Sequence, residues 1–185
     1  MSRNPYLVSQ NRAALLVVDI QEKILAVMSD PDRVVKNSVK IIKGFHTLER
    51  PIFVTEQYPE ALGSTVEKVH KALKKTDIQV KNTFSCCGIT DLVLSLRKQK
   101  IDQVVLCGIE THVCVLQTAF DLMHAGFSVF VCQDAVSSRK EMDYQAALQR
   151  MAQGGVFITT TESVLLEMVE NIESKSFKPI LKLIK

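Results

Sequence analysis

Three side chains of this 185-residue chain stand where strand-like runs end, and together they could support covalent catalysis. Asp19 directly follows the apolar run Leu15-Leu16-Val17-Val18. A partly buried carboxylate there can take up a proton, although a strand-end aspartate also serves as a helix cap. Lys81 interrupts Ile78-Gln79-Val80 and Asn82-Thr83-Phe84, and at the end of a central strand its ammonium would sit close to developing negative charge. A lysine on an edge strand that deters aggregation is the alternative. Cys114 follows the run Val104–Cys107 and the stretch Gly108-Ile109-Glu110-Thr111, at the start of a helix carrying Val113, Leu116, Phe120 and Met123. The unpaired amides and positive dipole of a helix start favour a thiolate and could receive an oxyanion. A buried structural cysteine is the competing reading, because free cysteines are commonly buried.

Other nucleophiles and ligands point nowhere as definite. Cys86, Cys87, Cys107 and Cys132 read as structural thiols, and there is no CxxC pair. An odd number of cysteines is a poor disulfide framework and suits a reducing compartment, so a cytoplasmic protein is expected. Among His46, His70, His112 and His124, only His112 lies close to Cys114, and no two histidines have metal-ligand spacing. The sequence therefore calls for no metal and no cofactor.

Positioning such residues requires a scaffold, and the chain alternates in a way that supplies one. β-branched runs at 13–20, 51–55, 78–83, 103–108, 128–132 and 155–160 are separated by stretches with helical spacing. Asp30-Pro31 reads as an N-cap followed by proline at the first helical position, and Ser138 with Glu141 reads as a capping box. Strand–helix alternation of this kind predicts an α/β, three-layer Rossmann-like fold with a six-stranded parallel sheet flanked by helices. Near-continuous apolar strands fit a sheet covered on both faces, whose ligands bind beyond the strands' carboxyl ends. Length and composition (46% hydrophobic, 23% charged) predict a single domain over residues 1–185 and exclude disorder. The longest early apolar run stops at Asp19, so no membrane association is expected. A charge of +3 without a basic block gives no reason to expect nucleic acid, and the stretch Met1-Ser2-Arg3-Asn4-Pro5 does not resemble a secretory leader.

Asp19, Lys81 with Phe84-Ser85, and Gly108-Ile109-Glu110-Thr111-His112-Val113-Cys114 together resemble the isochorismatase-like cysteine hydrolases over nearly the whole chain. The resemblance is closest to the isochorismatase domain-containing subgroup. It rests there on Thr55-Glu56-Gln57-Tyr58-Pro59, Leu62-Gly63, Asp134-Ala135, Ser137-Ser138-Arg139, Phe177 and the tail Leu181–Lys185. It implies that Cys114 is the nucleophile, Asp19 the proton acceptor and Lys81 the support for both charges. It also implies a cis peptide at Ile109–Glu110 and an oxyanion hole formed by the amides of Glu110 and Cys114. Where nicotinamidases of the family carry a metal-binding histidine in Asp-Trp-His-Pro, this chain has Tyr58, a poor zinc ligand.

The expected function is a metal-independent cysteine hydrolase cleaving a small-molecule amide-type C–N bond through an acyl-enzyme on Cys114. Gln21, Tyr58, Phe84 and His112 are the candidate substrate-binding residues. Two alternatives stand beside it: isochorismate-type vinyl-ether hydrolysis with Asp19 as acid, and a non-catalytic oligomeric interaction protein. A homo-oligomer is expected because the helix Val113–Met123 and the tail residues Leu181, Leu183 and Ile184 offer more apolar surface than a small domain readily covers.

Overall fold

The structure, a computed structural model, describes residues 4–185; Met1–Arg3, part of the stretch read above for a leader, lie outside the described residues. Strand β1 (Ala13–Val18) is followed by helices α1 (Glu22–Leu25) and α2 (Pro31–Thr47). Then come β2 (Ile52–Gln57), α3 (Pro59–Leu62), α4 (Glu67–Leu73), β3 (Ile78–Lys81), α5 (Leu92–Lys98) and β4 (Gln103–Ile109). The remaining elements are α6 (Leu116–His124), β5 (Ser128–Ser137), α7 (Glu141–Gln153), β6 (Phe157–Thr159), α8 (Thr161–Val169) and α9 (Phe177–Ile184). All six strands pair in parallel in the order β3-β2-β1-β4-β5-β6, as the alternation predicts. The order reverses between β1 and β4, which opens a crevice at their carboxyl ends.

Period-two alternation along the central strand divides the core. Ala13, Leu15 and Val17 of β1 face a layer that includes Ile41, Phe45, Val69, Leu165 and Ile180. Ala14, Leu16 and Val18 face the layer of Leu92, Leu96, Leu122, Leu148 and Met151. Helix α2 starts as read, with Asp30 accepting the Arg33 amide and Pro31 in the first turn. The capping box at Ser138 does not form. Helix α7 begins at Glu141 with Lys140 at its N-cap, and the Ser138 hydroxyl instead meets His112 Nδ1 at 3.0 Å.

The apolar surface invoked for an oligomer is largely used inside the chain. Leu116, Ala119 and Leu122 of α6 are buried, and Leu183 and Ile184 pack against the first core layer. The large hydrophobic side chains left more than half exposed include Tyr58, Val80, Phe84 and Leu94, three of which lie around Lys81 and the loops beside it. No helix among the described residues is long and apolar enough to cross a membrane.

Candidate active site

Strands β1 and β4 bring the first two elements of the site together. β4 runs beside β1 with Gly108 opposite Val18, and a Cβ at Gly108 would collide with the Val18 carbonyl oxygen. Gly108 also has φ +123°, a conformation that favours glycine. Directly beyond, Asp19 leaves the strand with φ +50°, in the left-handed region that aspartate tolerates better than bulkier residues. The Ile109–Glu110 peptide is cis. A π-helical turn, Thr111–Val115, follows and carries Cys114 directly into α6. The amides of Val113 and Val115 both donate to the Glu110 carbonyl, at 3.1 and 3.2 Å. The sequence reading had an ordinary helical first turn here.

Lys81 arrives from the last position of β3. This is an edge strand, yet the lysine is buried, so its task is not that of a solvent-facing guard residue. Its ammonium donates to Asp19 Oδ2 at 2.7 Å, Gln57 Oε1 at 2.7 Å, and the carbonyls of Thr83 and Phe84 at 3.1 and 3.0 Å. The other carboxylate oxygen, Asp19 Oδ1, accepts the Thr55 hydroxyl at 2.7 Å. The Cys114 side chain, 5% exposed, lies near enough to Asp19 for that carboxylate's charge to act on its thiol. Its thiol is pushed up from 9.0 to about 12, chiefly by burial and then by the negative charge of Asp19, against the opposing pull of Lys81. Burial thus outweighs the helix-start effect expected from sequence, and Cys114 rests as a thiol.

The four candidate substrate-binding residues divide into three situations. Gln21 is fully buried and its amide is spent inside the protein. Nε2 donates to the carbonyls of Gln57 and Gly63 at 3.0 and 2.6 Å, and Oε1 accepts the Gln57 amide at 2.7 Å. It therefore pins the 57–63 loop and presents no free group to a ligand. Tyr58 and Phe84 flank Lys81 with their side chains more than half exposed; the Tyr58 amide donates to the Lys81 carbonyl. His112 turns its ring nitrogens to Ser138 Oγ at 3.0 Å and Asp143 Oδ2 at 4.0 Å. The Glu110 carboxylate accepts the amide and Nε of Arg139, at 3.1 and 3.2 Å, which ties the cis-peptide segment to the start of α7.

Sequence reasoning missed Thr55, Gln57 and Cys86 as members of this cluster. Strand alternation sets Thr55 and Gln57 on the same side of β2, and that was the available signal. Cys86 carried no signal of its own.

Comparison with known proteins places this arrangement. Residues 13–163 match the model of the isochorismatase domain. The chain belongs to the isochorismatase domain family. It is 40% identical to isochorismatase family protein 1A of Dictyostelium discoideum, over 95% of this chain and 87% of that protein. It is 39% identical to isochorismatase domain-containing protein 2 of Danio rerio, over 95% and 88%. The structure described as MAR1 ribonuclease from Caenorhabditis elegans superposes with a TM-score of 0.92 at 38% identity, over 96% of this chain and 92% of that one. This chain is thus an isochorismatase-family hydrolase with a parallel six-stranded sheet. Among the described residues, no group of three or more His, Cys, Asp or Glu side chains is placed to hold a metal ion. Glu56, on β2 two positions before Tyr58, is not idle: its Oε1 accepts the amide and hydroxyl of Thr65 at 2.6 and 2.7 Å.

Proposed function

We propose that this family member is a metal-independent cysteine hydrolase that cleaves a small-molecule amide-type C–N bond through a covalent acyl-enzyme on Cys114. The observation that carries the reading is a buried thiol under the influence of a carboxylate that an equally buried ammonium holds at 2.7 Å. The resting thiol, pushed up to about 12, needs a base at the moment of attack, and Asp19 is the carboxylate whose charge acts on it most strongly.

In this scheme the Cys114 S–H bond breaks as its sulfur attacks the carbonyl carbon, and the proton passes to Asp19. The carbonyl electron pair moves to oxygen, which the amides of Glu110 and Cys114 receive. Collapse of the tetrahedral adduct breaks the C–N bond, and the leaving amine takes the proton from Asp19. Water then gives a proton to Asp19, attacks the thioester, and releases the acid while the thiol regains its proton. Lys81 keeps the Asp19 charge in place through both halves. Tyr58 and Phe84 supply an apolar entrance, His112 borders the Cys114 turn where Ser138 and Asp143 hold its ring, and Gln21 acts through the segment it pins.

The arrangement of Asp19, accepting from both an ammonium and a hydroxyl, suits taking a proton better than the acid role needed for vinyl-ether hydrolysis. Tyr58 in the histidine's place and Glu56 engaged with Thr65 favour chemistry without a metal. Five free thiols fit a cytoplasmic setting, and the exposed Tyr58, Val80 and Phe84 fit assembly with further copies of the chain. Light scattering at micromolar concentration should give a multiple of the 20.7 kDa chain mass; a monomer removes the oligomer.

The test is turnover of a panel of primary amides, carbamoyl compounds, vinyl ethers and single-stranded RNA by the native chain and by Cys114→Ala. Amide or carbamoyl turnover lost in the variant is expected. Vinyl-ether turnover that survives in Cys114→Ala would move the chemistry to Asp19 as acid. Cleavage of RNA alone would replace the amide reading with the activity for which the nematode relative is named.

A further inference from the structure

Asp19 has a partner that the scheme above leaves idle. Thr55 of β2 is completely buried and donates its hydroxyl to Oδ1, while Lys81 holds Oδ2. Behind Thr55 lies Cys86, also completely buried, with Sγ 3.6 Å from Thr55 Oγ1. The Cys86 amide in turn donates to Thr118 Oγ1 at 2.9 Å, which fixes it against α6, the helix that Cys114 leads into. A hydroxyl has one proton to give and two lone pairs to receive with. Because the Thr55 proton is committed to the carboxylate, the thiol is the donor in the contact behind it. Burial pushes the Cys86 thiol up to about 11, so it holds that proton at neutral pH. The result is a directed chain from Cys86 S–H to Thr55 O–H to the Asp19 carboxylate.

We infer that Thr55 is a positioning residue for Asp19, and that Cys86 allows it to serve that carboxylate in both protonation states. The inference rests on the reading of Cys114 and Asp19 given above. While Asp19 is ionised it only accepts, and Thr55 donates to it. The ammonium on Oδ2 makes that oxygen the poorer proton acceptor, so the proton leaving Cys114 Sγ goes to Oδ1. One S–H bond breaks and one O–H bond forms, and Oδ1 becomes a donor facing Thr55. With no further partner, two donors would confront each other in a buried place, where an unsatisfied polar group is penalised. Cys86 Sγ removes the conflict. Thr55 turns its hydrogen onto that sulfur and accepts from Oδ1, while the Cys86 hydrogen swings out of the contact. No proton travels past Asp19; the hydroxyl and the thiol only reorient.

The rate at which iodoacetamide alkylates Cys114 at neutral pH, mapped by mass spectrometry, tests this without a substrate. Thr55→Val nearly preserves shape but removes the hydroxyl that orients Oδ1, and should slow labelling about tenfold or more, because a carboxylate turned out of line with the thiol takes its proton less often. Thr55→Ser keeps the hydroxyl and should stay within about threefold of the native rate. Cys86→Ala, which keeps Thr55, should slow labelling by less than Thr55→Val. The infrared S–H stretch of Cys86, identified by its loss in Cys86→Ala, should shift in Thr55→Val and not in Thr55→Ser. Native-rate labelling in Thr55→Val, or equal damage from serine and valine, overturns the positioning role. Native-rate labelling in Cys86→Ala, or an S–H band unmoved by valine, overturns the relay. Should Thr55→Val not fold, the serine and Cys86→Ala arms still decide. Native Cys114 labelling no faster than the other thiols, or Asp19→Asn leaving its rate unchanged, would instead overturn the reading of the site itself.

Discussion

Lys81 and Asp19 form an ion pair 2.7 Å long in which each side chain is only 1% exposed. A pair so far from water is held by its surroundings as much as by Coulomb attraction, because both ions have lost their hydration. Lys81 compensates with three further acceptors and Asp19 with the Thr55 hydroxyl.

Removing one partner is therefore worse than removing both. Lys81→Met should destabilise the fold by about 3–5 kcal/mol, since it strands a buried carboxylate. Adding Asp19→Leu should restore much of that stability in urea melts while leaving the protein inactive. A single variant as stable as the native chain would mean that the pair is solvated in solution.

The buried thiols set the alkaline limit of stability. Cys86 is raised to about 11, and Cys107 and Cys114 to about 12, all chiefly by burial, from an ordinary value of 9.0. Raised values mean that the unfolded chain loses these protons first. Their contribution is thus complete below pH 9 and is lost as pH climbs toward about 12. Each should withdraw about 1 kcal/mol by pH 10. Chemical denaturation at several alkaline pH values should give a midpoint that falls with pH, and less steeply in Cys107→Ala.

Cys114→Ala should lower amide turnover by about 10³-fold or more, because without the nucleophile only binding and oxyanion contacts remain. The fold should survive, since alanine has good helix propensity and leaves little void. A chelator should leave the native activity unchanged. Activity lost to the chelator and kept in Cys114→Ala would require a mechanism rebuilt around Glu56 and Asp19.

Gly108→Ala should destabilise by about 3 kcal/mol, because its added methyl meets the Val18 carbonyl and its φ of +123° suits only glycine. The Val18 carbonyl immediately precedes Asp19, so labelling of Cys114 should slow even in molecules that remain folded.

The sheet was legible because its strands are short apolar runs separated by helical periodicity, and that alternation survives any error at the ends. The ends themselves were not. The run 128–132 stops five residues short of the end of β5, which continues to Ser137. There Asp134 accepts the amide and hydroxyl of Thr161, and pairing with β4 resumes after a register shift between Leu106 and Gly108. Ser138 and Glu141 have capping-box spacing, but the serine hydroxyl is taken by His112, a partner 26 residues away that spacing cannot reveal.

At the candidate site, Asp19, Lys81 and Cys114 were visible as chemistry-bearing residues at the ends of apolar runs. Gln21 was visible too, but its polar side chain beside Asp19 gave no hint that it faces the 57–63 loop. Thr55 and Cys86 look like ordinary strand and core residues. Only the meeting of β1, β2 and the segment after β3 gives them a carboxylate to serve.

Lys81 is delivered by a four-residue strand that is paired on one side only, whereas Asp19 and the Cys114 segment spring from the two central strands. Edge strands fray at lower free energy than a sheet's middle, so the population contains molecules whose scaffold is intact and whose ammonium has come away. Heat should therefore silence the molecule before it melts it, with amide exchange quickening first along residues 78–81.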